Sequence, residues 1–255
     1  MIANLWNYRH LIKRLALSDF KLRYKNSVLG FFWSLLEPLL LLLVLYVVFA
    51  HLFPSMEENF HLFLLLGIVS WDFFTKGTSM GLNSIIGKPS LVRQVYIPRE
   101  ILVLSSSLTA FMMAALEFGV FAIFMAFSKV IPTSTIIYFP AIILILFFLI
   151  LGISLALGAL NTYYRDVQYI WAVLLQAGFF ASGVFFDINN LPENIRDLLL
   201  LNPIARILIM LRQSVLYNIV PSTGDLVFCS ITALAFLLIG YTIFTKLEPG
   251  FAEEV

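Results

Sequence analysis

The feature that most constrains this chain is a series of six apolar stretches, each 19 to 27 residues long. They cover residues 28–53, 61–86, 101–127, 136–160, 167–186 and 226–244. A helix rises about 1.5 Å per residue, so about 20 apolar residues cross a hydrocarbon core about 30 Å thick. The stretches are continuous and lack a period-two alternation, which favours helices over membrane-barrel strands. The sequence therefore predicts an all-α integral membrane protein with six transmembrane helices.

The composition agrees with a membrane protein and excludes several kinds of site. Of the 255 residues, 61% are hydrophobic and only 12% are charged, whereas a soluble domain carries about 25% charged residues. One cysteine, Cys229, excludes an internal disulfide and any metal site built from several cysteines. The three histidines are far apart and show no ligand spacing. We expect this chain to bind no metal and no cofactor.

Residues 5–25 are predicted to form an amphipathic helix that lies in the membrane interface before the first span. The apolar positions that recur at three- and four-residue steps are Leu5, Tyr8, Ile12, Leu15 and Leu22. Most cations of this segment lie on other faces, where they can approach anionic headgroups. We therefore divide the chain into an interfacial helix over 1–27 and a membrane domain over 28–255. The residues alone leave open whether the helix is an anchor or a docking site.

Lysine and arginine set the predicted orientation, because cytoplasmic loops carry an excess of both. With the N-terminus inside, twelve of the 16 cations fall on the cytoplasmic side. The twelve are Arg9, Lys13, Arg14, Lys21, Arg23, Lys25, Lys76, Lys88, Arg93, Arg99, Arg165 and Lys246. The four outside are Lys129, Arg196, Arg206 and Arg212. Six spans then place both termini in the cytoplasm.

Two connections on the predicted cytoplasmic side stand out from the others. Residues 87–100 carry three cations and a proline near each end, and Pro89 is an acceptable first residue for a short helix. Leu91, Val92, Tyr96 and Ile97 are predicted to give this loop an exposed apolar patch. Residues 161–166 form a tight turn that makes spans four and five an antiparallel hairpin. Either connection could also be a plain polar loop.

Residues 187–223 are predicted to form two short helices on the outer side, over 191–201 and 203–218, broken at Asn202–Pro203. The second has an apolar stripe made of Ile204, Ile207, Leu208, Leu211 and Val215. Arg206 and Arg212 are predicted to form a polar face beside it. Both helices are shorter than the hydrocarbon core, so they lie on the surface or re-enter the membrane. A gate over an outer pore mouth is one interpretation, and a passive surface helix is the other.

Charge inside the spans is scarce and is limited to Glu37, Asp72, Lys76 and Glu117. Asp72 and Lys76 stand four residues apart, so we expect them to neutralise each other on one helix. Glu117 has no nearby partner in the sequence. We therefore expect it to be protonated, hydrogen-bonded and important for packing, because a single isolated acid does not make a proton relay.

The residues do not decide between a transport subunit, a membrane enzyme acting on a lipid-linked substrate and a scaffold. An enzyme should show converging catalytic groups, which this sequence lacks. Residues 81–89 are not a phosphate loop, because five residues separate the glycines and Pro89 replaces the Ser or Thr that binds magnesium. Any ATP hydrolysis is therefore expected in another chain.

One segment carries a resemblance to a known family. The junction motif, where the interfacial helix meets the first span, consists of Asp19, Arg23, Tyr24, Ser27, Leu29, Gly30, Trp33, Pro38 and Leu39. It resembles ABC-2-type polysaccharide and polyol-phosphate export permeases, most of all the O-antigen permeases of the Wzm group. The turn Tyr164-Arg165-Asp166 and the break Leu201-Asn202-Pro203 extend the resemblance over nearly the whole chain.

The resemblance implies a non-catalytic permease subunit in the bacterial inner membrane. It implies a homodimer around a channel, paired with two copies of a Wzt-like ABC ATPase that binds ATP and magnesium. The cargo would be a polysaccharide on an undecaprenyl-diphosphate carrier, of the O-antigen type, with teichoic acid or capsular polysaccharide as alternatives. Membrane lipids are the other expected contact, and nucleic acid is not.

The resemblance also assigns candidate sites. It places the ATPase-docking surface on residues 5–25 and 87–100. On that basis we predict ATPase coupling through Arg93, Tyr96, Ile97, Arg99, Arg165 and Asp166. We predict the outer gate at Asn202, Pro203, Arg206 and Arg212.

Overall fold

The computed structural model describes residues 7–23, 25, 30, 32–52, 59–131 and 133–255. Within these residues every regular element is helical, and no β-strand occurs. Four residues named above, Leu5, Tyr24, Ser27 and Leu29, lie outside the described residues. The all-α part of the predicted fold is therefore confirmed for the described residues.

Eleven α-helices follow one another along the described chain. They are α1 Arg9–Arg23, α2 Phe32–Leu52, α3 Phe60–Leu82, α4 Pro89–Gln94, α5 Glu100–Phe127, α6 Tyr138–Tyr163, α7 Val167–Ala181, α8 Glu193–Leu199, α9 Pro203–Val215, α10 Thr223–Leu247 and α11 Phe251–Glu254. Short 3₁₀ helices cover Ser134–Ile137, Ile188–Asn190 and Glu248–Gly250.

Four of these helices are long and apolar enough to cross a membrane, namely α2, α5, α6 and α10. A fifth candidate arises if α8 and α9, which are bent by 100° at their junction, count as one broken span. The sequence predicted six spans, with the second and fifth at α3 and α7. Helix α3 is long enough but carries polar and charged residues, and α7 has only 15 residues. Gly183, with φ 67°, turns the chain two residues after the end of α7.

Helix α3 is the centre of the bundle. It contacts α2, α5, α6, α7 and α9, and residues 62–71 are all buried. Because other helices rather than lipid surround it, α3 tolerates His61, Asp72 and Lys76 inside an otherwise apolar helix. Burial against other helices therefore explains why α3 is not among the four long apolar helices.

Helices α6 and α10 form the most extensive helix pair. A Cβ atom added to Gly240 would lie 2.0 Å from the Gly152 carbonyl oxygen. A Cβ atom on Gly152 would lie 2.5 Å from the backbone nitrogen of Leu237. Small residues at such a contact let two membrane helices approach backbone to backbone. The two glycines therefore fix how closely α6 and α10 approach.

Helix α1 lies along α5 rather than apart from the bundle. Ile12 and Ala16 are buried, and Thr109 of α5 donates a hydrogen bond to the Ala16 carbonyl oxygen over 3.2 Å. Leu22, which belongs to the predicted apolar stripe, is exposed. The contact side of α1 is thus narrower than the predicted stripe.

The bundle has two ends, which we name by the segments that form them. The loop end consists of residues 83–99, 161–166 and 248–255. The hook end consists of residues 128–131, 133–137 and 182–222, and it takes its name from the bent pair α8–α9.

Candidate functional site

A separate hydrophobic core lies at the loop end. Its buried members are Ile85, Val92, Leu102, Val103, Leu155, Ala159, Phe244 and Phe251. They come from α4, α5, α6, α10, α11 and the turn after α3. The 87–100 loop is therefore anchored on the bundle by apolar burial and does not hang free.

The exposed apolar patch predicted for this loop is smaller than the sequence suggested. Val92 is buried, and Leu91 and Ile97 are half-buried against the loop-end core. Tyr96 is 104% exposed, and Arg93 is also exposed. Helix α4 begins at Pro89 and makes less than two turns, so one side faces the core and the other faces out. The residues free for a partner are therefore on the Arg93–Tyr96 side.

The other predicted coupling residues are held by the segment that follows α10. The Arg99 guanidinium lies 3.8 Å from Glu248 Oε1, and the Arg99 backbone N–H donates to the same oxygen over 3.3 Å. Arg165 Nη2 donates to the Glu254 carbonyl oxygen over 3.0 Å. Asp166 is exposed beside it in the α6–α7 turn. The structure thus brings Arg99 and Arg165 to one common segment.

An ion pair joins α1 to the loop end. Lys88 Nζ lies 2.5 Å from Asp19 Oδ2, and both side chains are mostly buried. Asp19 belongs to the junction motif, and Lys88 directly precedes α4. The two segments predicted as one docking surface are therefore in direct contact.

Other members of the junction motif have different surroundings. Gly30 has φ 51°, a left-handed conformation that glycine adopts without strain. Pro38 is buried inside α2, and the helix continues past it. Arg23 and Trp33 line a cavity of about 540 Å³ between α1, α2, α3 and α5. Its remaining lining residues are Ser34, Glu37, Leu40, Lys76 and Met113.

The four charges inside the bundle meet at Lys76. Lys76 Nζ lies 2.9 Å from Glu117 Oε1 and 3.2 Å from Glu37 Oε2, and it also forms an ion pair with Asp72. The prediction that Glu117 lacks a nearby partner is therefore wrong, because the fold brings Lys76 to it from another helix. An ammonium group has three N–H donors, and here three carboxylates from α2, α3 and α5 surround it.

This ion cluster has one open side. Glu117 is 1% exposed, whereas the Glu37 side chain is 65% exposed and lines the cavity. Within the described ranges, no three His, Cys, Asp or Glu side chains are placed to hold a metal ion. The carboxylates instead neutralise Lys76 and tie the loosely packed α2 to the buried α3.

The break between α8 and α9 occurs at the predicted position. Asn202 Oδ1 accepts a hydrogen bond from the Ile204 backbone N–H over 3.0 Å, and Pro203 is the first residue of α9. Asn202 Nδ2 donates to Ser182 Oγ over 2.9 Å. This N-cap and proline fix where α9 starts and attach it to the end of α7.

The predicted apolar stripe of α9 is confirmed, because all five of its members are buried. The predicted polar face is wrong for Arg212, which is only 3% exposed. Its guanidinium donates to the carbonyl oxygens of Gly183 and Val184 over 2.8 and 2.7 Å, and lies 3.4 Å from the ring centroid of Phe63. Arg206 forms an ion pair with Asp225 at the start of α10. The two arginines thus attach α9 to the segment after α7, to α3 and to α10.

The sequence analysis missed residues 248–255, to which it gave no role. Phe251 is fully buried and stands seven residues after Phe244, with ring centroids 5.3 Å apart. Seven residues equal about two helical turns. The spacing of these two aromatic residues was therefore the signal that could have found the segment.

The family described as ABC-2 type transporter has a sequence model that matches residues 10–216. The chain is similar to the O-antigen export system permease protein RfbA of Myxococcus xanthus, with 28% identity over 100% of this chain and 99% of that protein. It is 20% identical to the polysialic acid transport protein KpsM of Escherichia coli, over 94% of each chain. It is 21% identical to the capsule polysaccharide export inner-membrane protein CtrC of Neisseria meningitidis serogroup A, over 95% of this chain and 92% of that protein.

Proposed function

The chain belongs to the ABC-2 type transporter family, and on that premise we propose that it is the permease subunit of a polysaccharide exporter. The cargo is an O-antigen type polysaccharide on an undecaprenyl-diphosphate carrier, moved from the cytoplasm across the bacterial inner membrane. One observation supports this most strongly: the similarity to an O-antigen export permease extends over the whole of this chain. The family is one of transporters, so the chain is a transport protein and not an enzyme.

Capsular polysaccharide is the alternative cargo, and the similarity to KpsM and CtrC supports it at lower identity. Teichoic acid is a further alternative that rests on the junction motif alone. All three cargoes are long polymers attached to a lipid, so the choice between them changes the polymer and not the mechanism.

The permease works as a homodimer with two copies of a separate ABC ATPase, which binds ATP and magnesium. The sequence supports this division of labour, because the glycine-containing stretch at 81–89 lacks the spacing of a phosphate loop. Membrane lipids surround the dimer.

We infer six spans in the order α2, α3, α5, α6, α7 and α10, after an interfacial helix within residues 1–27. Helix α3 has 23 residues and reaches about 34 Å at about 1.5 Å per residue, which exceeds the hydrocarbon core. Helix α7 reaches only about 22 Å and the chain turns at Gly183, so the fifth span is shorter than the hydrocarbon core. The membrane domain then covers 28–255, and the loop end faces the cytoplasm.

The loop end is where the ATPase docks. Tyr96 presents a fully exposed ring, and truncating an aromatic anchor at the centre of an interface costs about 2 kcal/mol or more. Arg93 contributes less, because exposed ion pairs are worth about 0–1 kcal/mol each. The half-buried Ile97 supports the loop from inside rather than touching the ATPase.

The hook end forms the outer gate. Helices α8 and α9 are each too short to cross the membrane, they meet at a bend of 100°, and α9 packs against α3, α6 and α10. Asn202 and Pro203 fix the bend, and Arg206 and Arg212 fasten it. The polar contacts of Asn202, Arg206 and Arg212 join the hook to other parts of the bundle. The gate therefore has to break these contacts when it opens.

The test combines the purified complex with export in cells. The chain alone should hydrolyse no ATP, and activity should appear when the ATPase subunit is added. Tyr96→Ala should reduce export by about tenfold or more, since a 1.4 kcal/mol loss is tenfold in an equilibrium. Phe127→Ala, which removes an exposed aromatic ring at the end of α5, outside both the loop end and the hook end, serves as the matched control and should leave export unchanged.

Two results would contradict the proposal in different ways. ATP turnover by the chain after complete removal of its ATPase would overturn the division of labour. Normal export by Tyr96→Ala, with both subunits present at normal levels, would overturn only the assignment of Tyr96 as a docking anchor.

A further inference from the structure

Residues 248–255 fold back over the loop end after α10. Helix α10 ends at Leu247, a 3₁₀ turn covers Glu248–Gly250, and α11 covers Phe251–Glu254. Helix α11 contacts both α4 and α6. The segment therefore bridges the 87–100 loop and the end of the α6–α10 pair.

Phe251 is the apolar anchor of this bridge. Its side chain is fully buried, and its ring centroid lies 5.3 Å from that of Phe244 and 6.2 Å from that of Tyr163. Tyr163 Oη donates a hydrogen bond to the Leu247 carbonyl oxygen over 2.9 Å. A Cβ atom at Gly250 would lie 2.1 Å from Tyr163 Oη, so the Gly250 backbone packs directly against the Tyr163 side chain.

Polar contacts extend the bridge on both sides. Glu248 accepts from the Arg99 backbone N–H and lies within ion-pair distance of the Arg99 guanidinium. On the opposite side, Arg165 donates to the Glu254 carbonyl oxygen. One short segment thus holds the end of the 87–100 loop and the α6–α7 turn at the same time.

We propose that residues 248–255 are a clamp that makes α6 and α10 move together with the 87–100 loop. The chain itself connects this loop only to α3 and α5. The clamp adds the α6–α10 pair, and Asp225 at the far end of α10 binds Arg206 of the hook. A push on the loop therefore reaches the hook through α10, and the inference rests on the proposed docking of an ATPase at the loop end.

Phe251 and Glu248 are positioning residues in this scheme. Phe251 is buried under the segment, so it acts on the loop through the shared loop-end core and not by touching a partner. A purely structural residue would change stability without changing the export obtained per ATP. The two roles can therefore be separated by measuring both.

The first measurement is amide hydrogen exchange on the purified chain alone. Phe251→Ala should make the amides of residues 90–97 exchange about tenfold faster, because the loop loses its apolar support and opens locally. Phe121→Ala is the matched control, since it removes an equally buried ring from the hook half of α5. It should leave exchange at residues 90–97 unchanged, and unchanged exchange in Phe251→Ala would overturn the clamp whatever the chain transports.

The second measurement is export per ATP hydrolysed, with the complete complex. Phe251→Ala should lower this ratio several-fold, Phe251→Leu should restore most of it by keeping an apolar contact, and Phe121→Ala should leave it unchanged. If Phe251→Ala loosened the loop but kept the wild-type ratio, the loop would not carry the motion, and the inference would fail. If mixing the wild-type permease with its ATPase gave no ATP hydrolysis, that result would instead count against the proposed function.

Discussion

Lys76 shows how much a single residue can hold together inside a membrane bundle. Three carboxylates from three different helices share its ammonium group, and two of the three acids are largely shielded from solvent. In such surroundings the attraction between the charges offsets the desolvation cost of burying them only while every member of the cluster is present. The cluster therefore specifies how α2, α3 and α5 are placed relative to one another.

Replacing Lys76 by methionine should destabilise the fold strongly. The change leaves the acids of α3 and α5 buried without a cation, and breaking such a pair by removing one partner costs about 3–5 kcal/mol. The measurement is the temperature of half-unfolding of the purified chain in detergent. The double variant Lys76→Met with Glu117→Gln should recover part of the loss, because it removes one uncompensated charge.

Lys246→Met provides the control for this experiment, since it removes an exposed cation near the end of α10. It should unfold at the wild-type temperature. Equal unfolding temperatures for Lys76→Met and Lys246→Met would mean that the ion cluster does not contribute to stability.

Only part of this cluster could be predicted from the sequence. The Asp72–Lys76 pair follows from a spacing of four residues on one helix. The Lys76–Glu117 contact joins residues 41 apart, and no local pattern reports which faces of two helices meet. Arg212 was misjudged for the same reason, because its position beside the apolar stripe gives no sign that Phe63 and two carbonyl groups of another segment surround it.

The close packing of helix α10 against α6 depends on glycine. Gly240→Ala should separate α6 from α10, since its new Cβ would meet the Gly152 backbone rather than a flexible side chain. Overpacking of this kind costs about 1–3 kcal/mol, and the unfolding temperature of the purified chain reports it. Gly119→Ala in α5 is the matched control, because no atom lies within 4 Å of its new Cβ. A similar loss in both variants would show that the close contact is unimportant.

The ends of a helix could be predicted from the sequence where neighbouring residues determine them. The start of α9 follows from Asn202 as an N-cap and Pro203 as the first helical residue, and the structure has both. Helix α7 is shorter than predicted, because the apolar run to 186 hides the left-handed turn at Gly183. Helix α11 was missed, because Pro249 and Gly250 interrupt the seven-residue spacing between Phe244 and Phe251 and weaken it as a signal.

Charge is distributed unevenly over the whole molecule. Leaving out Lys76 and Arg212, which are buried, the predicted cytoplasmic side keeps eleven cations and the other side three, from the original twelve and four. The bias that sets orientation therefore does not depend on these two buried cations.

The proposed orientation predicts which positions an impermeant thiol reagent can reach. In a Cys229→Ala background, Glu193→Cys at the hook end should react in intact spheroplasts. In cells without the partner ATPase, which would cover this position, Arg93→Cys at the loop end should react only after the membrane is opened. Both side chains are exposed, so a difference between them reports sidedness and not burial. Reaction of Arg93→Cys in intact spheroplasts would reverse the topology.

The burial of α3 has a consequence for how the protein is made. Helix α3 leaves the ribosome with Asp72 and Lys76, and each charge costs about 2.5–3.5 kcal/mol near the centre of an inserting helix. Glu37 has already been synthesised at that moment, but Glu117 has not. We therefore expect nascent α3 to remain beside α2 and the insertion machinery, and to enter the bilayer only after α5 has been synthesised. A chain truncated at residue 100 should therefore leave Ile68→Cys in α3 reactive towards a water-soluble thiol reagent, whereas a chain truncated at residue 160 should protect it.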